Sequence, residues 1–328
     1  MGNSHVKDLE TEFLRVQNQI LIKSVRNLSV APHILRQIEL TRQTGQYHYL
    51  VLLADAFHGI AHIGFLEKLD EKAYLNNIKG IACSSFSSII GAFMTLGYAP
   101  KDIRTILMKE DLSCLINGKD GLISKYYKVL PNHGSSAGGT LVTFLGNVIN
   151  KRTGNPDYTF GDLWRDRKMD LIITATDLVN KNIVYFCREY TPDLPIRHAI
   201  RMSIGIPYVL QPIIYQERFL VDGSIIPCPI TIFDGDFPED PRTLPPNPRT
   251  LIIQVTGSLL ELSDELDLSN DTHYAMALLQ AKQVSLDERS TQDLLRTVYI
   301  PVPRRLLQWI PTKDEMEVLF NIAGFRPV

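Results

Sequence analysis

The chain has 328 residues, 45% hydrophobic and 21% charged, enough to bury one large core or two modest ones. Its formal net charge of −2, without a long Lys/Arg run, argues against nucleic acid as a partner. Cys83, Cys114, Cys187 and Cys228 show no Cys-x-x-Cys or Cys/His pairing, so no metal site and no disulfide framework are expected, and a reducing, cytoplasmic setting is. No cationic-then-apolar leader and no apolar run of roughly 18 residues or more occurs, so neither a signal peptide nor a membrane span is expected.

Residues 1–47 read as a helical arm ahead of a main domain at 48–328. Val6, Leu9, Phe13, Val16 and Ile20 alternate in steps of three and four, an amphipathic stripe that ends near Leu28. A second short helix follows from Pro32 to Arg42. Such a stripe packs across a domain or lies on a membrane surface. Met1-Gly2-Asn3-Ser4 starts like an N-myristoylation signal, but Val6 stands where that signal carries Ser or Thr.

Tyr49 to Ala54 is an apolar strand running into Asp55-Ala56-Phe57-His58-Gly59 and then a helix with Ile60, Ile63, Leu66 and Leu69 on one side. A strand, a tight loop and a helix start place backbone N–H groups at the carboxyl edge of a sheet, the natural place for an oxyanion site. The same order recurs from Ile78 to Ala99, where an apolar run breaks at Cys83-Ser84-Ser85-Phe86-Ser87 into a helical pattern. A serine at that break, Ser85, stands beside the helix N-terminus, where unpaired N–H groups favour developing negative charge. A nucleophile elbow usually has glycine two residues before and after its serine; here these positions are Cys83 and Ser87.

Helix-rich sequence is expected from Lys101 to Asn150. Met169–Leu178 and Asn182–Phe186 read as strands joined by a tight turn, Ile196–Ile204 as helix, and 213–222 as a hairpin leading to Asp222-Gly223. Residues 234–249 form a Pro- and Asp-rich loop, Thr250–Gly257 a strand, Asp271–Arg296 a long helix and Thr312–Phe325 a closing helix. Alternating strands and helices indicate α/β architecture. Gly134-Ser135-Ser136-Ala137-Gly138 also fits Gly-x-Ser-x-Gly, but it follows Pro131-Asn132-His133 rather than an apolar strand and reads as a flexible loop entering a helix at Leu141. The histidines, among them His58, His62 and His198, show no triad spacing, and His62 reads as structural.

Several segments in order carry a resemblance. LLADAFHGIAHIGFLEKL, Ser85 with Gly97 twelve positions on, TFGDL at Thr159–Leu163, ATDL at Ala175–Leu178, AIRMSIGIPYVLQPI at Ala199–Ile213, FLVDGSIIPCPI at Phe219–Ile230 and the ending TKDEMEVLFNIAGF together resemble the patatin-like phospholipase family. The resemblance covers residue 48 to the end. It implies a patatin-like, cytosolic-phospholipase-like three-layer α/β/α fold with a mostly parallel central sheet. It implies a lipid acyl-ester hydrolase with Ser85 as nucleophile and Asp222 as its base, without metal or other cofactor. Its partners would be phospholipid or other acyl lipid met at a membrane surface; no protein partner is identified.

The chain departs from the family at the oxyanion loop. Where the family has a glycine-rich stretch followed by a basic residue, this chain has Ala54, Asp55, Ala56, Phe57 and His58, and only Gly59 matches. A carboxylate at Asp55 would oppose an oxyanion, and losing one oxyanion donor typically costs about 100- to 1000-fold in rate. The alternative is therefore a catalytically inactive patatin-like domain that binds lipid or a protein partner.

Overall fold

The computed structural model describes residues 32–54, 56–118, 121–122, 124–235, 246–257, 296–302 and 310–324. The expected N-terminal amphipathic stripe, Asp55, residues 236–245 and most of the expected 271–296 helix lie outside them. Helix α1 (Pro32–Thr44) leads to strand β1 (Tyr49–Leu53), a 3₁₀ turn (Ala56–Ile60) and helix α2 (Ala61–Glu71). Strand β2 (Gly80–Ser84) then gives way to helix α3 (Ser87–Thr95).

A parallel core forms where β1 pairs with β2 on one side and with β10 (Thr250–Gly257) on the other. Strand β11 (Thr297–Val302) extends it beyond β10, and β5 (Asp170–Asp177) extends it beyond β2. Every residue of β2, and all of β1 but Tyr49, is buried; strands covered on both faces need apolar side chains throughout, which is why YLVLL and GIACS lack a polar alternation.

Past β5 the sheet turns antiparallel, through β6 (Asn182–Phe186), β9 (Arg218–Val221), β8 (Ile213–Tyr215) and the two-residue β3 (Lys128–Val129). Strands β8 and β9 are joined by Gln216 and Glu217, both at positive φ (47° and 63°), the geometry of a tight hairpin turn. This is an α/β fold, a sheet with a parallel centre and helices packed on it, as the resemblance implies.

The alternation of side chains through the strands divides the core. Leu50, Leu52, Ile81, Cys83, Ile173 and Ile253 point to a large cluster shared with α2, α3 and the closing helix α9 (Lys313–Gly324). Val51, Leu53, Ala82, Ile172 and Ile252 point to a smaller one, met among the described residues by Cys187 and the segment Cys228–Phe233.

The stretch 101–150 is helix-rich as expected, with helices Pro100–Lys109, Leu112–Asn117 and Gly139–Thr153, but it also carries β3 and a three-residue strand β4 (Gly134–Ser136). One expectation is corrected. The Gly134–Gly138 stretch is therefore no flexible loop; β4 pairs in parallel with β7 (Tyr208–Leu210). Strands this short leave no hydrophobic period to read.

Candidate active site

The architecture brings two strand ends together on one edge of β5. Thr174 pairs with Ser84 of β2 and with Tyr185 of β6, while Thr176 pairs with Val221 of β9 and Ile183 of β6. Since β6 occupies one edge throughout, β2 and β9 share the other, β2 running up it and β9 running down. The residue after each strand faces the same gap beside Ala175: Ser85 and Asp222.

Their side chains meet there. Ser85 Oγ donates a hydrogen bond to Asp222 Oδ2 at 2.9 Å, and both residues are buried. The other carboxylate oxygen, Oδ1, accepts from Ser224 N–H at 2.9 Å and from Ser224 Oγ at 2.7 Å. Burial pushes the Asp222 carboxyl above the usual carboxylate range, against the hydrogen bonds from Ser224 and Ser85 that favour its ionised form.

Ser85 has φ +50°, the left-handed region that a non-glycine residue enters only under constraint. Its N–H donates to Ser203 Oγ at 2.8 Å, and Ser203 Oγ donates to the Thr174 carbonyl at 2.7 Å. Ser203, at the end of helix Ile196–Ser203, thus bridges a β2–β5 ladder where its strands part. Asp222 is held likewise, its N–H on the Gly205 carbonyl at 3.1 Å and the Gly223 N–H on the Ser203 carbonyl at 2.9 Å. Gly223 is required by proximity: a Cβ there would lie 2.1 Å from the Thr174 carbonyl oxygen.

The two elbow positions that lack glycine are accommodated by glycines elsewhere. Cys83 faces Gly91 of α3, where an added Cβ would come within 2.7 Å of Cys83 Sγ. Ser87 faces Gly59, where an added Cβ would lie 3.0 Å from Ser87 Oγ. The Ser87 hydroxyl pairs with His62 Nδ1 at 3.3 Å, and His62 Nε2 meets the Ile253 carbonyl at 3.1 Å. The carbonyl can only accept, so Nε2 carries the proton and Nδ1 accepts from Ser87.

Of the loop positions, Ala54 is buried at the end of β1, Phe57 packs its ring 5.2 Å from that of Phe86, and His58 is buried. Ala56 through Gly59 belong to the 3₁₀ turn, which brings Phe57 and Gly59 against the start of α3. Phe86 and Ser87 begin α3, so their N–H groups belong to the unpaired set at a helix start. Burial lowers the pKa of both His58 and His62 to about 4, so both rings are neutral at pH 7. His198 bonds Tyr127 OH at 3.0 Å, and among the described residues no histidine bonds Ser85.

The other motifs serve the scaffold. Thr159 and Asp162 of TFGDL form a reciprocal capping box on helix Phe160–Arg167. Gly97, at φ +87°, follows the end of α3. Ser136 donates to the Gly118 carbonyl at 2.8 Å and accepts from Gly138 N–H at 3.1 Å, a turn-closing role; among the described residues it bonds no carboxylate or histidine. Its flanking glycines answer to packing: a Cβ at Gly134 would meet the Leu210 backbone at 2.6 Å, and one at Gly138 would meet Arg201 Nε at 2.3 Å. Arg201 is wholly buried and donates to the carbonyls of Ala137, Ile204 and Gln211, tying together the loops on this side of the site.

The sequence model of the patatin-like phospholipase family matches residues 56–234, and the chain belongs to that family. An uncharacterized protein of Acanthamoeba polyphaga mimivirus is 31% identical over 193 residues, covering 58% of this chain and 63% of that protein. A probable lipid hydrolase of Invertebrate iridescent virus 6 is 27% identical over 181 residues, 55% of this chain and 60% of that one. The matches thus take in less than two thirds of these relatives' length. VipD from Legionella pneumophila has the same fold at 14% identity, with a TM-score of 0.50 over 84% of this chain and 67% of that one.

Two outcomes follow. Gly91→Ala destabilises the protein by about 1–3 kcal/mol through overpacking against Cys83, and adding Cys83→Ala recovers part of the loss. Denaturant unfolding of the double-mutant cycle checks this; strict additivity would contradict the contact. Second, the unfolded chain takes up protons on its histidines below about pH 6.5, while His58 and His62 in the folded state do so only near pH 4. Stability is therefore lost as pH falls from about 6.5 toward 4, each buried histidine adding roughly 1.4 kcal/mol per pH unit to the slope. Thermal unfolding across that range should show a falling Tm, with a shallower slope in His62→Gln; a flat profile would contradict the neutral, buried histidines.

Proposed function

We propose that the chain is a lipid acyl-ester hydrolase in which Ser85 and Asp222 form a catalytic dyad. The observation that carries this reading is the 2.9 Å hydrogen bond from Ser85 Oγ to Asp222 Oδ2 at a strand-to-helix turn whose serine has positive φ. Family membership supports the substrate class.

In the first half-reaction Ser85 Oγ attacks the acyl carbonyl carbon as its proton passes to Asp222 Oδ2. The negative charge collects on the carbonyl oxygen near the start of α3, whose N–H groups and dipole favour it. Collapse breaks the bond from carbon to the leaving oxygen, which takes the proton from Asp222, and the acyl group stays on Ser85. Water then attacks the acyl-enzyme, giving its proton to Asp222; Ser85 Oγ leaves with that proton and the fatty acid is released. The raised pKa of Asp222 makes it a stronger base than an exposed aspartate, provided that it is ionised.

One observation favours the alternative, a domain that binds lipid or a partner without turnover. Ser85 is 0% exposed, so an ester reaches it only after side chains over the elbow move. The replacement of the family's glycines at Ala54, Asp55 and Ala56 points the same way.

Hydrolysis of a short-chain soluble ester and of phospholipid in mixed micelles separates the two. Ser85→Ala and Asp222→Asn should each lower the rate about 1000-fold or more, and Ser136→Ala should leave it unchanged. Activity should fall as pH drops through a pKa above the ordinary carboxylate value of about 3.9, since only ionised Asp222 accepts the proton. Full activity in Ser85→Ala would end the hydrolase assignment to this site. A folded wild type with no turnover of either substrate would favour the binding reading.

A further inference from the structure

Strand β5 does not stop at the level of the site, as β2 does. Ser84 pairs with Thr174, so Leu178, the residue just past the end of β5, lies four residues farther on, roughly 13 Å beyond it at about 3.3 Å per residue. There Leu178 and Val179 form the tip of the β5–β6 hairpin and are 51% and 70% exposed. Adjacent exposed aliphatic side chains at a projecting tip are an unusual use of a turn, where polar residues and glycine predominate.

The tip is also held open. Asp177, wholly buried at its base, accepts hydrogen bonds from the N–H groups of Val179 at 3.1 Å and Asn180 at 3.2 Å, and from Asn180 Nδ2 at 2.7 Å. The Leu178 N–H donates to the Phe219 carbonyl at 2.9 Å, fastening this hairpin to the neighbouring β8–β9 hairpin, which projects from the same edge of the sheet. The apolar pair is thus displayed on a fixed wedge.

Charge around the wedge is one-sided. Lys181 lies in the same turn, Arg218 at the tip of the β8–β9 hairpin, and Lys128 pairs across from Ile214 on β3. All three are exposed, and none takes part in an ion pair among the described residues. Glu217 is the exposed acid on these two turns. Apart from the buried Asp177, this gives three exposed cations to one exposed acid in a chain whose overall charge is −2.

We propose that the β5–β6 hairpin tip is a membrane-docking wedge: Leu178 and Val179 enter the interfacial layer of an anionic lipid surface while Lys181, Arg218 and Lys128 meet its headgroups. Docking in this orientation turns the sheet edge that carries Ser85 and Asp222 toward the lipid, so that an acyl ester reaches the site from the bilayer side. The inference rests on the reading of that site as lipid-directed, but it does not need turnover.

Full-length Ser85→Ala protein, which removes hydrolysis from the measurement, is floated with phosphatidylcholine vesicles with and without phosphatidylglycerol. It should bind the anionic vesicles, and the Leu178→Asp/Val179→Asp variant should bind them at least about tenfold more weakly with an unchanged Tm. Lys181→Glu/Arg218→Glu should weaken binding to anionic vesicles and make it less sensitive to salt. Placed on the otherwise wild-type chain, the Asp pair should leave hydrolysis of a soluble ester intact while lowering that of vesicle lipid; this arm applies if the enzyme turns over. A Val179→Trp probe should show blue-shifted emission on vesicles. Undiminished binding by the Asp pair would assign lipid contact to another part of the chain and overturn the proposal. So would failure of the starting protein to bind any vesicle, which would leave the tip to a protein partner.

Discussion

β5 runs for eight residues and β2 for five, and the edge left over is taken by β9 running the opposite way. The geometry of the site follows from that difference. Two strands that meet end to end leave buried backbone groups where neither continues, and such groups are costly unless bonded. Ser203 supplies the link, accepting from Ser85 N–H and donating to the Thr174 carbonyl. The Ser85 turn is then fixed from three sides: by Ser203, by Asp222, and by Ser88 Oγ, which donates to the Ser85 carbonyl at 2.5 Å. A positive φ at a serine persists because its surroundings determine it.

The elbow shows how a motif can change letters and keep its shape. Glycine beside a nucleophile serves to let strand and helix come close. In this chain the space lies instead on the facing elements, at Gly91 opposite Cys83 and at Gly59 opposite Ser87. The hydroxyl of Ser87 adds a polar group to a dry interior, and the neutral His62 ring satisfies it. The turn after β1 is tied to the same helix start, because the Phe57 ring packs on that of Phe86.

The parallel centre was legible because strands buried on both faces must be apolar throughout, and β1 and β2 are. Ser85 was legible for a related reason, as small hydroxyl residues interrupt an apolar run just before a helical period. Asp222 was legible only from the order of the segments around it, since Asp-Gly by itself reads as an ordinary turn. Ser203 and Arg201 were not singled out. Ser203 acts on a residue 118 positions away, and an arginine in a short helix reads as solvated, whereas Arg201 is buried and serves three carbonyls. The strands β3 and β4 escaped notice because two or three residues carry no period. The Leu178-Val179 tip likewise passed unmarked, Leu178 reading as the end of a strand and Val179 as the start of the turn; only its exposure distinguishes it.

The central claim is that an activated serine stands at position 85 and owes its reactivity to Asp222. Incubation of the folded protein with a fluorophosphonate probe, followed by peptide mass spectrometry, reads this without any assumption about the lipid. The account predicts modification on the peptide containing Ser85, greatly reduced in Asp222→Asn and absent in Ser85→Ala. Modification on Ser136 instead, or labelling of Ser85 that is indifferent to Asp222, would contradict it.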